Sequence, residues 1–287
     1  EDPYAGLGEA VPLNPGFQDR SDPAARGFPA EKAVAIAREL DKVLRSADPR
    51  IVNSNGSWFS ATRQTVRFLD SRGRAGSYAT SAFAVSASPV ARSDDSMQTD
   101  HWWSVAPRFA DLEPAEAVAR EAVRRTVRRL GARKIPTCRV PVLFDPDMAS
   151  SLLRNLAQAV SGASVYQNAS FLAEDLDKPV FPKGIGIVDD PLMAQGLASR
   201  PFDDEGIPSR RLDLVEDGIL KSFLLDAYSA RRLKRSTTAS ASRSPASSTS
   251  PAPTNLYLKP GRRSEAEILR GIPRGLYVTG LMGMGIN

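Results

Sequence analysis

Three consecutive carboxylates form the densest group of chemically reactive side chains in this 287-residue chain. Asp203, Asp204 and Glu205 are followed directly by Gly206. Carboxylate oxygens are the ligands that Mg²⁺ and Ca²⁺ prefer, but neighbouring side chains of an extended chain point to opposite faces and seldom converge on one ion. An acidic run that ends in Gly is typical of a tight turn, because Asp caps its own backbone and Gly accepts a positive φ. We favour the turn and keep cation binding as the alternative.

Histidine and cysteine, the usual zinc ligands, occur once each, as His101 and Cys138. A protein zinc site needs three or four ligands, drawn mainly from these two types. A nucleophilic triad would need an orienting acid beside the His and a nucleophile within reach, and no such motif accompanies His101. We expect a half-buried, structural His101 beside its two Trp neighbours and a buried Cys138. The chain is therefore predicted to hold no catalytic zinc by itself.

A basic helix face is the only feature that suggests nucleic acid. Arg120, Arg124 and Arg128 recur at four-residue steps, a spacing that can follow phosphates. Glu116 and Glu121 on the same helix could pair with them, and the net charge of the chain is only +5. A solvated helix face is the favoured interpretation and nucleic-acid binding the alternative.

The first half of the chain predicts a helix, a group of strands and a second helix. Apolar residues recur at helical spacing over 29–47 and 114–130. Between them, residues 51–111 alternate with period two and predict four or five antiparallel strands. We expect residues 29–135 to form one α+β domain, preceded by an extended linker over residues 1–28, which are rich in Pro, Gly and Asp.

Residues 136–287 predict a second unit of the same class. A strand over 139–144 leads into a helix over 146–161, with Asp145 at its N-cap and Pro at its first position. The fold class predicted for the whole chain is α+β, with two units of antiparallel sheet and packed helices.

A hairpin and a short helix follow the acidic run. Asp217-Gly218 separates two apolar runs within 212–225, which is a strong hairpin signal, and the second run reads as a central strand covered on both faces. A short helix is expected over 226–233. Residues 235–254, rich in Ser, Thr, Ala and Pro, are expected to be mobile.

The bulk composition bears on the compartment. No apolar run approaches the roughly 20 residues of a membrane span, and the acidic N-terminus does not resemble a signal peptide. One cysteine excludes an internal disulfide and fits a reducing compartment. The composition predicts a soluble, cytoplasmic protein without membrane contact.

Seven pieces of the sequence, taken together, carry a resemblance to a known family. The longest piece is SRPFDDEGIPSRRLDLVEDGILKSFLLDAYSARRL, which ends at Leu233. The other pieces are EDPYAGL at 1–7, DPRI at 48–51, VRRLGARKIPT at 127–137, VPVLFDPDMASSLL at 140–153, SGASVYQNASFL at 161–172 and GLYVTGLMGMGIN at 275–287. In this order they resemble the TldD/PmbA family of metallopeptidases, and more narrowly its PmbA (TldE) subunit. Because the pieces keep the family's order over the whole chain, the resemblance is specific.

The resemblance implies a metal-free subunit of a heterodimer. In TldD subunits the metal-binding helix carries HExxxH, and this chain has Leu153 and Gln158 in place of the two His and Arg154 in place of the Glu. The implied partner is a TldD-type subunit that supplies the zinc, and the implied substrates are unfolded peptides. The alternative is a nucleic-acid-associated role, in keeping with the family's older name as modulator of DNA gyrase.

The resemblance also suggests where functional residues lie. Family-core positions expected to line the proteolytic chamber or the partner interface are Asp203, Asp204, Glu205, Gly206, Tyr228 and Arg231. Family members carry a further segment before residue 1 and further strands after residue 287, so both ends are expected to be truncated and the domain over 136–287 incomplete.

Overall fold

The protein is described by a computed structural model that covers residues 2–9, 11–13, 17–94, 96–244 and 246–281. The chain divides into two compact units. The central unit comprises Pro15–Arg67 and Ala75–Pro136, and the C-terminal unit comprises Glu1–Asn14, Phe68–Arg74 and Thr137–Asn287.

One long strand organises the sheet of the central unit. Strand β3 pairs with β2 and, along successive stretches of its length, with β1, β5 and β4. All described pairings with β4 and β5 are antiparallel, whereas β1 is parallel to β3. The strands are β1 Phe17–Asp19, β2 Ile51–Leu69, β3 Ala75–Ser93, β4 Ser96–Thr99 and β5 Trp102–Ala106.

Two helices cover this sheet, as the helical spacing of apolar residues predicts. Helix α1 spans Ala30–Ser46 and α2 spans Ala115–Val127. Leu40 and Leu44 of α1 pack with Val118 and its neighbours on α2 and with Val85 of β3. The α+β class and the four strands between the helices are confirmed. Residues 17–19 form a strand and Pro23–Ala25 a 3-10 turn, where the sequence had suggested extended linker throughout.

In its described residues, the C-terminal unit contains one four-stranded antiparallel sheet and two sheets of two strands. The four-stranded sheet has the order β12-β7-β8-β9, β10 pairs with β11, and β6 pairs in parallel with β13. The strands of the C-terminal unit are β6 Val142–Phe144, β7 Ile187–Asp189, β8 Leu212–Glu216, β9 Ile219–Leu220, β10 Ala241–Ser242, β11 Ser250–Pro251, β12 Leu256–Leu258 and β13 Leu276–Val278. Its helices are α3 Pro146–Ala159, α4 Gly162–Tyr166, α5 Ala227–Arg232 and α6 Glu265–Arg270.

The predicted hairpin is present, but its second strand is only two residues long, and its other side bonds to residues 177–180 through an isolated bridge. Asp217 and Gly218 have φ of 48° and 82°, which suits the two-residue turn between β8 and β9. A Cβ at Gly218 would lie 2.3 Å from the carbonyl oxygen of Phe181, so this position requires glycine. The chain leaves the strand conformation after Leu220, although Leu224 is fully buried. The prediction of a central strand was therefore wrong, because a loop buries these apolar residues.

The core of the C-terminal unit also includes residues that the composition had marked as mobile. Leu156 and Val160 pack with Leu214 and Leu224 in its apolar cluster. Residues 237–242 lie close by, and Thr237, Thr238 and Ser240 are buried. Their small polar side chains are used, since both Thr hydroxyls donate to the carbonyl oxygen of Leu225. None of the helices in the described ranges is long and apolar enough to cross a bilayer.

Candidate functional site

Helix α3 begins with the cap that its sequence predicts. The side chain of Asp145 accepts from the backbone N–H of Asp147, and Pro146 occupies the first helical position. The helix ends at Ala159, and Gly162 starts helix α4 rather than only stopping α3. A Cβ at Gly162 would lie 2.5 Å from Oγ of Ser229, so glycine allows α4 to pack closely against α5.

A groove of about 580 Å³ runs along one face of α3. Leu153, Arg154 and Gln158, the three positions that the family resemblance predicts to stand in place of HExxxH, all line it. Residues 251–254 and Leu256 form the opposite wall. The structure therefore brings the three predicted positions together on one surface of the C-terminal unit.

The chemistry of these side chains does not fit zinc. Leu153 has no donor atom, Arg154 is a permanent cation, and an amide such as Gln158 is not among the usual zinc ligands. Among the described residues, no group of three or more His, Cys, Asp or Glu could hold a metal ion. His101 and Cys138 lie in different units. The sequence predicted a half-buried His101 and a buried Cys138, but both side chains are exposed. His101 is 3.8 Å from Asp100, on a solvent-exposed part of the chain.

The acidic run forms the predicted tight turn, and its three carboxylates point to separate backbone groups. Asp203 is fully buried and accepts from the N–H groups of Glu205 at 3.0 Å, Ile207 at 2.8 Å and Ala241 at 3.1 Å. Asp204 accepts from the N–H of Arg243 at 2.8 Å. These directions diverge, which favours an architectural turn over a shared cation site.

Glu205 and Gly206 complete the turn. Oε2 of Glu205 accepts from the backbone N–H of Ala227 at 2.7 Å, at the start of α5. Gly206 has a φ of 72°, and a Cβ there would lie 2.4 Å from the ring of Phe68. Only glycine satisfies both the backbone conformation and this close contact.

The buried acids have perturbed protonation equilibria. Burial raises the pKa of Asp203, although three backbone N–H groups oppose the rise. Burial also raises the pKa of Glu205 to about 7, and the nearby carboxyls of Asp203 and Asp226 add to the rise. Glu205 is therefore an acid that titrates close to neutral pH inside a hydrogen-bonded turn.

Helix α5 presents Tyr228 and Arg231 to the N-terminal segment, which we define as residues 2–13. The hydroxyl of Tyr228 donates to Asp2 at 2.8 Å. The guanidinium of Arg231 donates to three backbone carbonyls of the segment, those of Tyr4 at 2.7 Å, Gly6 at 3.0 Å and Leu7 at 3.2 Å. These two predicted site residues thus bind the chain's own N-terminal segment, chiefly through its backbone.

Residues that sequence reasoning missed extend the same network. Arg74 donates to the carbonyl oxygens of Glu9 at 2.9 Å and Gly206 at 3.0 Å, so it links the N-terminal segment to the acidic turn. Arg232 stacks between the rings of Tyr4 and Tyr166. Asp226 and Ser229 form a capping box at α5, and their spacing of three residues was a signal visible in the sequence.

The basic face of α2 is compensated by acids of its own helix. Arg120 pairs with Glu116 at 2.8 Å, and Arg124 pairs with Glu121 at 2.7 Å. Arg125 is buried, and its guanidinium lies 4.9 Å from the ring centre of Trp102. This arrangement favours the solvated helix face over a phosphate-binding surface.

Two family models match most of the chain. The PmbA/TldA metallopeptidase central domain matches residues 24–130, and the PmbA/TldA metallopeptidase C-terminal domain matches residues 137–287. The metalloprotease PmbA of Escherichia coli O157:H7 is 32% identical over 90% of this chain and 55% of its own length. A PmbA homologue of Haemophilus influenzae is 32% identical over 92% of this chain and 56% of its own length. The chain thus spans little more than half the length of these relatives.

Solved structures share the fold at lower identity. TldE from Thermococcus kodakarensis superposes with a TM-score of 0.84 at 22% identity, covering 99% of this chain and 64% of that protein. A Bacteroides thetaiotaomicron protein named as a modulator of DNA gyrase superposes with a TM-score of 0.87 at 22% identity, covering 99% of this chain and 63% of that protein. The likeness to these solved structures shows a shared fold. The domain matches and the PmbA relatives show that the chain belongs to the PmbA/TldD metallopeptidase family, and that within it the chain is a PmbA (TldE)-like member.

Proposed function

We propose that this chain is the metal-free subunit of a heterodimeric zinc metallopeptidase that processes unfolded peptides. A TldD-type partner supplies the zinc and the residues that activate its water. The observation that carries the proposal is the composition of α3, where Leu153, Arg154 and Gln158 lie side by side along one groove. On the resemblance to TldD subunits this helix corresponds to the metal-binding helix, and its side chains at the motif positions are not zinc ligands.

Large apolar side chains of the C-terminal unit are exposed, and the proposed partner would cover them. Phe171 is 84% exposed and Leu69 is 76% exposed. Large exposed apolar groups mark sites of protein association when they form a contiguous surface. The proposal places Asp203–Gly206, Tyr228 and Arg231 near the chamber or the interface as supporting architecture. It places the complex in the cytoplasm, in keeping with the single cysteine.

The first experiment tests pairing. The chain is co-expressed with a TldD-type homologue and the mixture is analysed by size exclusion at micromolar concentration. An obligate interface would bury more than about 2,000 Å² in total, so a stable complex and a higher soluble yield are expected. Separate elution of the two chains would remove the main support for a heterodimer.

The second experiment tests the division of labour. After dialysis against zinc and washing, the chain alone is expected to retain well below stoichiometric metal and to hydrolyse no unfolded peptide. Adding the partner should produce chelator-sensitive hydrolysis, since a metal-bound water is the nucleophile in zinc peptidases. Gln158→His should not rescue the chain alone, because two ligands and the base would still be missing. Tightly held stoichiometric zinc with proteolysis by this chain alone would overturn the proposal.

A further inference from the structure

The groove along α3 is lined by polar side chains, and three of them make no hydrogen bond within the described chain. Ser150, Arg154, Gln158 and Ser161 follow one another at steps of three or four residues and line the same groove. Within the described part of the chain, the side chains of Arg154, Gln158 and Ser161 have no hydrogen-bond partner, and Arg154 has no ion pair. Both Arg154 and Gln158 are exposed. They are therefore available to a ligand.

The groove combines this polar stripe with an apolar floor and a single sign of charge. Leu153, Ala157 and Leu256 provide the apolar surface. Arg154 is the one charged residue among those that line the described groove. A site of about 580 Å³ with an apolar floor and a few convergent polar groups has the size and character of a small-ligand site. The positive charge of Arg154 and the apolar floor together complement a ligand that carries an anionic group next to an apolar one.

The opposite wall cannot offer a row of backbone donors to an added strand. Pro251 and Pro253 have no N–H. The N–H of Ala252 donates to the carbonyl of Ser240 at 2.9 Å, and that of Thr254 donates to Asp189 at 2.7 Å. Recognition by strand addition needs free backbone groups along an edge. This wall therefore offers no free N–H over residues 251–254, and the charged and amide donors of the groove are the side chains of Arg154 and Gln158 on α3.

We propose that this groove binds the carboxyl end of a peptide, with its terminal carboxylate on Arg154 and its last side chain, an apolar one, on Leu153 and Ala157. The guanidinium fork matches a carboxylate in a bidentate manner. The inference rests on the proposed function for the peptide nature of the ligand. Hydrolysis of a peptide bond by water yields one fragment with a new carboxylate and one with a new amine. The first fragment thus gains a terminal carboxylate of the kind that this groove fits, whereas the second keeps the carboxyl end of the uncut peptide.

Fluorescence anisotropy on the 287-residue chain tests the proposal. The probes are three N-terminally labelled hexapeptides: one ends in Leu with a free acid, one ends in Leu amide, and one ends in Asp amide. We expect the free acid to bind about tenfold more tightly than the Leu amide, because a charge-assisted hydrogen-bond pair is lost with the amide. Equal binding of acid and amide would overturn the proposal, as would equal binding of the Asp amide, which carries its carboxylate on a side chain.

Variants locate the effect. Arg154→Gln should abolish the preference for the free acid, and Arg154→Lys should keep part of it, because the charge remains and the fork is lost. Arg120→Gln, at an exposed helical Arg that pairs with Glu116, is the matched control and should leave the preference intact. A preference that survives Arg154→Gln in a folded variant would overturn the assignment. The assay uses neither zinc nor partner, so an inactive heterodimer with intact carboxylate discrimination would refute the proposed function alone.

Discussion

Two regions of the C-terminal unit use similar polar residues in opposite ways. Around the acidic turn, Asp203 and Arg231 each bind three backbone groups. Along α3, Arg154 and Gln158 lie on an open groove and bind no other side chain within the described residues. Polar side chains committed to backbone groups stabilise a fold, whereas uncommitted ones are available to a ligand. Within one unit, Asp203 and Arg231 therefore stabilise the fold, whereas Arg154 and Gln158 are available to bind a ligand.

The largest expected effect is at Asp203. Asp203→Ala leaves two buried N–H groups and one part-buried N–H group without an acceptor and should lower the free energy of unfolding by about 3–5 kcal/mol. Urea denaturation followed by circular dichroism measures the change. Asp213→Ala is the matched control, since Asp213 is 40% exposed and pairs with Lys259 at the surface. Its cost should stay below about 1 kcal/mol.

Asp203→Asn covers the case in which Asp203→Ala does not fold. The amide retains one oxygen for Glu205 and Ile207 but turns an NH₂ group toward the N–H of Ala241. An intermediate loss of about 1–3 kcal/mol is expected. If both variants unfold with the wild-type midpoint, Asp203 does not hold the turn together.

The next effect concerns the N-terminal segment. Arg231→Ala removes the donor to the carbonyls of Tyr4, Gly6 and Leu7 and should destabilise the unit by about 1–3 kcal/mol. Limited proteolysis within residues 2–9 should become faster, because local opening exposes that backbone. The neighbouring Arg232→Ala removes the cation–π contacts with Tyr4 and Tyr166 and an attraction to the exposed Asp2, but no hydrogen bond to the backbone of the segment, and should cost about 0.5–1 kcal/mol. Equal proteolysis of the two variants would contradict this order.

A smaller effect, specific to pH, is expected at Glu205. Folding raises its pKa from an ordinary 4.5 to about 7, so the folded chain binds more protons than the unfolded chain between these values. The contribution of this group to stability is therefore full below pH 4.5 and is lost as pH rises through 7. The free energy of unfolding should therefore fall between pH 5 and 8, and Glu205→Gln should remove about 1–2 kcal/mol of that fall, after allowance for the partial exposure of the group. Unfolding midpoints across that range provide the measurement, and an unchanged slope would exclude Glu205 as its source.

Local chemistry made the turns and caps of this chain predictable. Asp217-Gly218 predicts its turn through two residues that accept positive φ, and Asp145-Pro146 predicts the start of α3. The groove positions followed from helical spacing and the family's motif, since Leu153, Arg154 and Gln158 lie on one helix.

Distant contacts were not predictable in the same way. The acceptor carboxylate of Asp203 and the N–H of Ala241 are 38 residues apart, and Arg231 meets carbonyls 224–227 residues earlier. No spacing rule connects such positions. The prediction of mobility failed over the buried residues 237–241 for a related reason, because composition alone does not reveal that the carbonyl oxygen of Leu225 accepts from the hydroxyls of Thr237 and Thr238.

The smallest expected effect on stability, at α3, tests the comparison most directly. Arg154→Gln and Gln158→Ala remove exposed side chains without partners in the described chain, so the free energy of unfolding should change by less than about 0.5 kcal/mol in each case. Urea midpoints measured beside those of Arg231→Ala provide the contrast. If Arg154→Gln destabilised the unit as much as Arg231→Ala, the side chain of Arg154 would stabilise the fold and would not be available to a ligand. A neutral Arg154→Gln that still loses discrimination between free-acid and amidated peptides would sharpen the comparison, because one substitution would then separate binding from folding.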